Sequence, residues 1–224
     1  MCYLNNTIIA AIIGAIISVV GFLLIALSQN KQLKKNQFET TFFNLLSNTR
    51  DMVNSICGDF GNANNFRKGQ AWFTLAAKNL DGEMKKHFQS QVMMQKLNSL
   101  NDNNEKIEFI KNEIKVVYSE FQVTDAGQLW HYFRFIYNVM KFVDSSNVPN
   151  KKFYFNFIQA QMSQNELIFW FYNGIHVNGM NFYKYTLQYD DFFQNFAIPD
   201  LYDFSFYIDN IQMYKSFYPN HKFR

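Results

Sequence analysis

The chain has 224 residues, 48% of them hydrophobic, with 21 basic and 18 acidic residues and a formal net charge of +3. This balance excludes the strongly basic surface that is typical of nucleic-acid-binding proteins, so the sequence gives no direct nucleic-acid signal. Two cysteines cannot form a disulfide framework, and Cys57, alone in the main domain, suits a reducing compartment.

The first predicted element is a transmembrane helix over residues 8–27. Its sequence, IIAAIIGAIISVVGFLLIAL, carries no charge and one polar side chain, Ser18. A helix of this length rises about 30 Å, which is the thickness of the hydrocarbon core of a bilayer. The alternative is a signal peptide cleaved near residues 26–28, although the preceding segment MCYLNNT lacks the positive charge that signal peptides carry.

Flanking charge gives this predicted helix a direction. Residues 1–7 have no basic side chain, whereas the C-terminal flank carries Lys31, Lys34 and Lys35. Because basic flanks stay on the cytoplasmic side, we predict a single-pass protein with its N-terminus outside the cell. The predicted organisation is a tail and transmembrane helix over residues 1–30 and a cytoplasmic helical domain over residues 31–224, with the lipid bilayer as a partner.

One face of the predicted span carries four small residues: Ala11, Gly14, Ser18 and Gly21. In lipid, such a face lets two helices approach closely and gain packing contacts, so one interpretation is a homo-oligomer formed through the span. The other interpretation is that small residues are common in membrane helices and serve no association here.

Helical periodicity continues through the rest of the chain. The predicted fold class is therefore all-α, with one N-terminal transmembrane helix continuing into a cytoplasmic multi-helix domain. No glycine or proline interrupts residues 22–57, which predicts that the first helix continues to about residue 56. Residues 58–65 are typical of a loop. Further helices are predicted over residues 66–79, 83–100, 105–122, 124–145, 149–162, 166–176, 180–195 and 201–217.

The helix predicted over residues 124–145 has two apolar stripes separated by one polar line. We call this line the basic seam; it consists of His131, Arg134, Asn138 and Lys141. One interpretation is a solvated or internally paired seam, in which Arg134 forms an ion pair with Glu120, Glu166 or Asp144. The other is a contact for an anion or a protein partner.

Two polar residues at the start of a later helix have the spacing of a capping box. In this motif the side chains of Ser163 and Glu166 each bind the other residue's backbone N–H group. Asn173 and Gly174, near the end of the same helix, are residue types that often terminate helices. We therefore interpret Ser163 and Glu166 as capping residues rather than as chemistry-bearing ones.

The sequence lacks the motifs of common enzyme classes. It has no glycine-rich phosphate loop, no HExxH motif and no Cys/His cluster with zinc spacing, and its four histidines are scattered. We therefore predict a protein that is not an enzyme and that uses no metal and no cofactor.

Four segments, taken in order, carry a resemblance to a known family. They are FETTFFNLLSNTRDMVNSI (38–56), GQAWF (69–73), WHYFRFIYNVMKFVD (130–144) and FIQAQMSQNELIFWFYN (157–173). Over residues 38–195 the chain resembles the phage abortive-infection (AbiC-like) proteins of bacteria. The residues that match the family's signature are Tyr132, Phe133, Arg134, Tyr137, Ser163, Glu166, Leu167 and Asn173.

The resemblance implies a protein of the bacterial inner membrane that arrests or kills an infected cell. The favoured hypothesis is an antiphage effector that perturbs the membrane through oligomerised spans, since one span cannot line a pore alone. One alternative is a membrane-tethered nuclease-type toxin with the basic seam near its site. Another is a single-pass scaffold that recruits a protein partner of a defence system.

Overall fold

A computed structural model describes residues 2–60, 64, 66–124, 126–176, 182, 184, 185, 188, 193 and 201–219, with side chains from Ile13 onward. Eight helices lie within these residues, so the predicted all-helical class is confirmed. They are α1 (Cys2–Ser55), α2 (Gln70–Phe88), α3 (Gln91–Ser99), α4 (Asn103–Thr124), α5 (Leu129–Ser145), α6 (Lys151–Ala160), α7 (Gln164–Ile175) and α8 (Asn210–Phe217).

The chain divides into two units, Met1–Leu45 and Leu46–Arg224. The sequence predicts a boundary earlier, between residues 30 and 31, where the apolar run gives way to lysines. Helix α1 runs through both positions without a break over its 54 residues. The reason is local, since no glycine or proline occurs between Gly21 and Gly58 to interrupt it.

The first unit is the N-terminal part of α1, and most of its apolar side chains are exposed. Phe22 is 72% exposed and Leu27 is 65% exposed, and none of the most apolar stretch of this helix is buried. By length and composition, α1 is long and apolar enough to cross a membrane. These side chains therefore do not belong to the core formed by the described residues.

A short β-ribbon follows α1, where the sequence predicts a loop over residues 58–65 and the start of a helix at residue 66; the helix begins instead at Gln70. The two-residue strands β1 (Cys57–Gly58) and β2 (Arg67–Lys68) pair in antiparallel register, with Cys57 opposite Lys68. Gly69 then adopts a φ of 58°, a left-handed conformation that favours glycine, and leads directly into α2. Strands this short carry no hydrophobic alternation, so the sequence pattern could not reveal them.

The sequence predicts two helices, over residues 66–79 and 83–100. The structure has two helices here, α2 and α3, but the break between them lies at residues 89–90 rather than near residues 80–82. Helix α2 continues through the exposed Gly82, although glycine weakens a helix interior by roughly 0.5–1 kcal/mol. Large apolar side chains on either side offset this cost, because Leu80 and Met84 are both buried in the core. An ion pair of 2.6 Å between Lys85 and Asp81 also bridges this turn.

Helix α4 agrees with its prediction, but α5 begins at Leu129 rather than after Thr124 or Asp125. Gln128, just before α5, explains part of the difference. Its side-chain amide accepts a hydrogen bond from the Cys57 backbone N–H (3.0 Å) and donates one to the Cys57 carbonyl. The connection between α4 and α5 is thus held against the ribbon and does not continue as a helical turn.

The C-terminal prediction is correct only in part. A helix is predicted over residues 201–217, whereas α8 begins at Asn210 after an irregular stretch. Asp209 caps α8 by accepting a hydrogen bond from the Gln212 backbone N–H (2.8 Å). Most of the helix predicted over residues 180–195 lies outside the described residues.

Helix α7 lies at the centre of the second unit. Every residue from Glu166 to Gly174 is buried, so this helix is covered on all sides. Helix α2 packs against both α4 and α7, α4 also packs against α7, and α5 packs on α6. The core is strongly aromatic, with Phe73 and Phe169 among its fully buried side chains.

Candidate functional site

The small-residue face of α1 is open in the single chain. A Cβ atom added at Gly14 or at Gly21 would meet nothing within 4 Å. The Ser18 hydroxyl donates a hydrogen bond to the Gly14 carbonyl (2.9 Å), so its polar group is already satisfied within the helix. This arrangement suits a lipid environment, where an unsatisfied polar group is costly. The side chain of Ala11 lies outside the described part.

The lysine flank follows this apolar segment at the surface. Lys31, Lys34 and Lys35 are all exposed. Lys35 forms an ion pair with Glu39, four residues further along α1, at 3.8 Å. Exposed pairs of this kind contribute little to stability, so the flank adds charge rather than rigidity.

The basic seam lies on the outer face of α5, where all four of its side chains are exposed. No described carboxylate lies within ion-pair distance of Arg134. Of its predicted partners, Asp144 lies 4.0 Å from Lys151 and Glu166 is engaged by other donors. The predicted internal pairing of Arg134 is therefore not formed with the described residues.

Glu166 is the centre of a buried hydrogen-bond network. Its side chain is only 1% exposed, yet it carries a carboxylate. Oε1 accepts hydrogen bonds from Gln70 Nε2 (2.5 Å), the Ser163 backbone N–H (3.1 Å) and the Ser163 hydroxyl (3.0 Å). Oε2 accepts one from the Tyr132 hydroxyl (2.5 Å). The predicted capping box is present, but the same carboxylate also joins α2 and α5 to α7.

Tyr132 extends this network into the core. It is fully buried, and its hydroxyl also accepts a hydrogen bond from Trp170 Nε1 (3.1 Å). Burial raises the pKa of Tyr132 well above its ordinary value, and the neighbouring Glu166 charge raises it further. The hydroxyl therefore keeps its proton and acts as a fixed donor to the carboxylate.

A cavity of about 240 Å³ lies beside Glu166, entirely within the second unit. The polar residues that line it are Thr49, Arg50, Asn54, Gln70, Gln161 and Glu166. The apolar residues that line it are Leu46, Val53, Ile136, Ile158 and Met162. Arg50 is exposed at this cavity, and its Nη2 donates a hydrogen bond to Gln161 Oε1 (3.3 Å). The cavity therefore combines one cationic and one anionic side chain with an apolar wall.

Comparison with known proteins finds one family model that matches part of the chain. Residues 125–201 match the family model described as "Putative phage abortive infection protein". The resemblance to abortive-infection proteins is confirmed over this stretch. No curated protein and no solved structure matches the chain.

The abortive-infection match covers α5, α6 and α7. It therefore includes the basic seam, Ser163, and the Tyr132–Glu166 hydrogen bond at the centre of the core. Within the described residues, no group of three or more His, Cys, Asp or Glu side chains is placed to hold a metal ion.

Of the six polar residues that line the cavity, sequence reasoning identified only Glu166. Gln70 and Arg50 lie far from Glu166 along the chain, on α2 and α1, outside the abortive-infection match. Both lie within segments on which the sequence-based resemblance was argued, but no spacing relates either residue to Glu166. A contact across 96 residues, such as that from Gln70 to Glu166, has no local signal.

Proposed function

We propose that this chain is a membrane-anchored abortive-infection effector. In this proposal α1 crosses the bacterial inner membrane once, with the N-terminus outside and the helical domain in the cytoplasm. The effector arrests or kills the infected cell by perturbing the membrane through clustered spans. The family match over residues 125–201 supports a role in phage abortive infection.

The single observation that carries the membrane part is the exposure of the apolar side chains of α1. Ile17, Phe22 and Leu27 are 66%, 72% and 65% exposed. Transfer of each such side chain from water into an apolar phase is favourable by about 1.5–3 kcal/mol. A bilayer core of about 30 Å is matched to the length of this segment, and the Ser18 hydroxyl needs no partner from lipid.

Orientation and clustering rest on separate features of α1. Lys31, Lys34 and Lys35 on the C-terminal flank favour a cytoplasmic domain. The open face at Gly14 and Gly21 allows the helix backbones of two copies to approach closely, which is how small residues stabilise membrane-helix pairs. Perturbation of the membrane needs such clustering, because a single helix encloses no pathway.

The test is the membrane potential of bacteria in which expression of the full chain is induced. We expect depolarisation and growth arrest with the wild-type chain, and loss of both with Gly14→Leu and with Ser18→Leu. The matched control is Ala26→Leu, because residue 26 lies about 110° around the helix from the small face. It should retain both effects.

Three outcomes would contradict the proposal. Growth arrest with an intact membrane potential, unchanged by Gly14→Leu and Ser18→Leu, would exclude killing through clustered spans. A chain lacking residues 1–30 that stays toxic and degrades RNA or DNA would instead favour a tethered nuclease-type toxin. Toxicity that needs a co-expressed neighbouring gene would favour the scaffold.

A further inference from the structure

We propose that the cavity beside Glu166 binds a free amino acid with an aliphatic side chain. In this arrangement Glu166 binds the ammonium group, Arg50 binds the carboxylate, and the apolar wall receives the side chain. The proposal concerns a site within the second unit and does not depend on α1 crossing a membrane.

The size of the cavity restricts the ligand class. Its volume of about 240 Å³ equals that of roughly eight water molecules. Pockets for drug-sized ligands are about 300–1,000 Å³, so this cavity suits a smaller molecule. Its mixed polar and apolar lining excludes a purely apolar occupant, since the buried polar atoms would be left facing it.

Glu166 forms the anionic end of the cavity, and its carboxylate has an acceptor site that no described donor occupies. Glu166 is 1% exposed, and none of its described partners is a cation, whereas buried charges in proteins are usually paired. Its Oε2 accepts one hydrogen bond, from Tyr132, although a carboxylate oxygen has two lone-pair sites. In the proposed complex an ammonium N–H donates to this oxygen and supplies a positive charge beside the carboxylate.

Arg50 forms the cationic end of the cavity, and most of its N–H donors have no acceptor among the described residues. A guanidinium carries five N–H donors, and one Arg50 nitrogen, Nη2, donates to Gln161 Oε1 at 3.3 Å. The others can bind a carboxylate in the two-point geometry that arginine favours. Arg50 and Glu166 together leave the lining with no net formal charge, which matches a zwitterion better than an amine or an acid alone.

The apolar wall selects the side chain of the ligand. Val53, Ile136 and Ile158 are buried aliphatic residues that line the cavity. A branched aliphatic side chain packed against them would lose its contact with water, which favours binding. Leucine is therefore the first probe.

The test is calorimetric titration of the full chain in lipid nanodiscs with leucine and with its two halves. The halves are 3-methylbutylamine, which lacks the carboxylate, and 4-methylpentanoate, which lacks the ammonium group. We expect leucine to bind, and each half to bind at least about tenfold more weakly, because each loses one charge-assisted contact. Valine, isoleucine and methionine complete the panel.

Arg50→Gln tests the proposed contact between the guanidinium and the ligand carboxylate. Because Arg50 is exposed, we expect the change to leave the folded state intact. We expect leucine to bind at least about tenfold more weakly to Arg50→Gln, while 3-methylbutylamine binds as it does to the wild type. Arg134→Gln, an exposed arginine away from the cavity, is the control and should bind leucine unchanged. Equal melting temperatures of the two variants would verify folding.

Three results would overturn the proposal. They are the absence of binding by all four amino acids, binding of either half as tight as that of leucine, and leucine affinity that Arg50→Gln leaves unchanged.

Discussion

At the scale of single residues, Glu166 has two roles that differ in how visible they are in the sequence. Its capping partnership with Ser163 spans three residues, and the spacing alone predicts it. Its bond from Tyr132 joins residues 34 positions apart and depends on how α5 packs beside α7. Tyr132 belongs to one of the two apolar stripes of the helix predicted over residues 124–145, but a stripe does not specify which polar group the hydroxyl contacts.

Tyr132→Phe should destabilise the protein. The change removes the donor to Glu166 Oε2 and the acceptor of Trp170 Nε1, and it leaves both buried groups unpaired. We expect a loss of about 1–3 kcal/mol in the free energy of unfolding, measured by denaturant titration. Tyr137→Phe on the same helix is the control, because the Tyr137 hydroxyl forms no hydrogen bond with the described residues. The Tyr137 ring, which this change keeps, packs against Tyr185 with 5.9 Å between the ring centroids. Equal losses in the two variants would contradict a structural role for the Tyr132 hydroxyl.

His176 should make stability depend on pH. The residue is 7% exposed, and its ring packs edge-on against Tyr118. Burial lowers the pKa of His176 below its ordinary value of 6.5, and the positive charge of Lys115 lowers it further.

The sign of the effect follows from proton uptake. As the pH falls through 6.5 the unfolded chain takes up a proton at this histidine, while the folded chain resists, so the free energy of unfolding decreases. We expect His176→Phe to show a shallower decrease than the wild type between about pH 7.5 and 5.5. His131→Phe, at an exposed position on α5, is the control for the replacement of a histidine by phenylalanine. A wild-type slope in His176→Phe would show that His176 does not titrate as described.

At the scale of elements, periodicity predicts most of the helices but not where irregular backbone begins. The repeated apolar positions of α4 were sufficient to predict it closely. The start of α5 depends on the contact between Gln128 and Cys57. The break predicted near residues 80–82 lies instead after Phe88, because Leu80 and Met84, on either side of the exposed Gly82, are buried in the core. In each case the deciding contact joins positions that are distant in sequence.

Replacement of two helical glycines by alanine should change the free energy of unfolding in opposite directions. Gly174 lies inside α7 rather than after its end, and an added Cβ would collide with the Tyr218 hydroxyl and lie 3.3 Å from the Phe182 ring. That hydroxyl is held by a bond to the Phe171 carbonyl (3.0 Å), so it cannot easily move away. Gly82 is exposed on α2 with nothing within 4 Å of an added Cβ.

We therefore expect Gly174→Ala to lower the free energy of unfolding by about 1–3 kcal/mol through overpacking. Gly82→Ala should raise it by roughly 0.5–1 kcal/mol, because alanine is the better helix former. Denaturant titration of both variants measures the two changes in the free energy of unfolding. A stabilised Gly174→Ala chain would mean that the segment around Tyr218 does not pack against α7 as described.

At the scale of the whole molecule, the sequence predicts the apolar segment and the helical domain, but it does not predict the cavity beside Glu166. Charge and hydropathy along α1 separate an apolar segment from a helical domain, and the family match over residues 125–201 connects that domain with phage abortive infection. The cavity beside Glu166 was not predictable, because its lining comes from α1, α2, α5, α6 and α7 and the residues after α6. Only the packed chain brings Arg50 and Glu166 to one cavity.

The central claim is that α1 crosses the membrane once, with its lysine flank in the cytoplasm. The most direct measurement is labelling of single cysteines by a membrane-impermeant maleimide in intact spheroplasts. One chain keeps Cys2 and carries Cys57→Ser; the other carries Cys2→Ser, Cys57→Ser and Ser47→Cys, at an exposed position beyond the lysines. We predict that the first is labelled in intact spheroplasts and the second only after lysis. Labelling of the Ser47→Cys chain before lysis, or recovery of both chains in the soluble fraction, would contradict the claim.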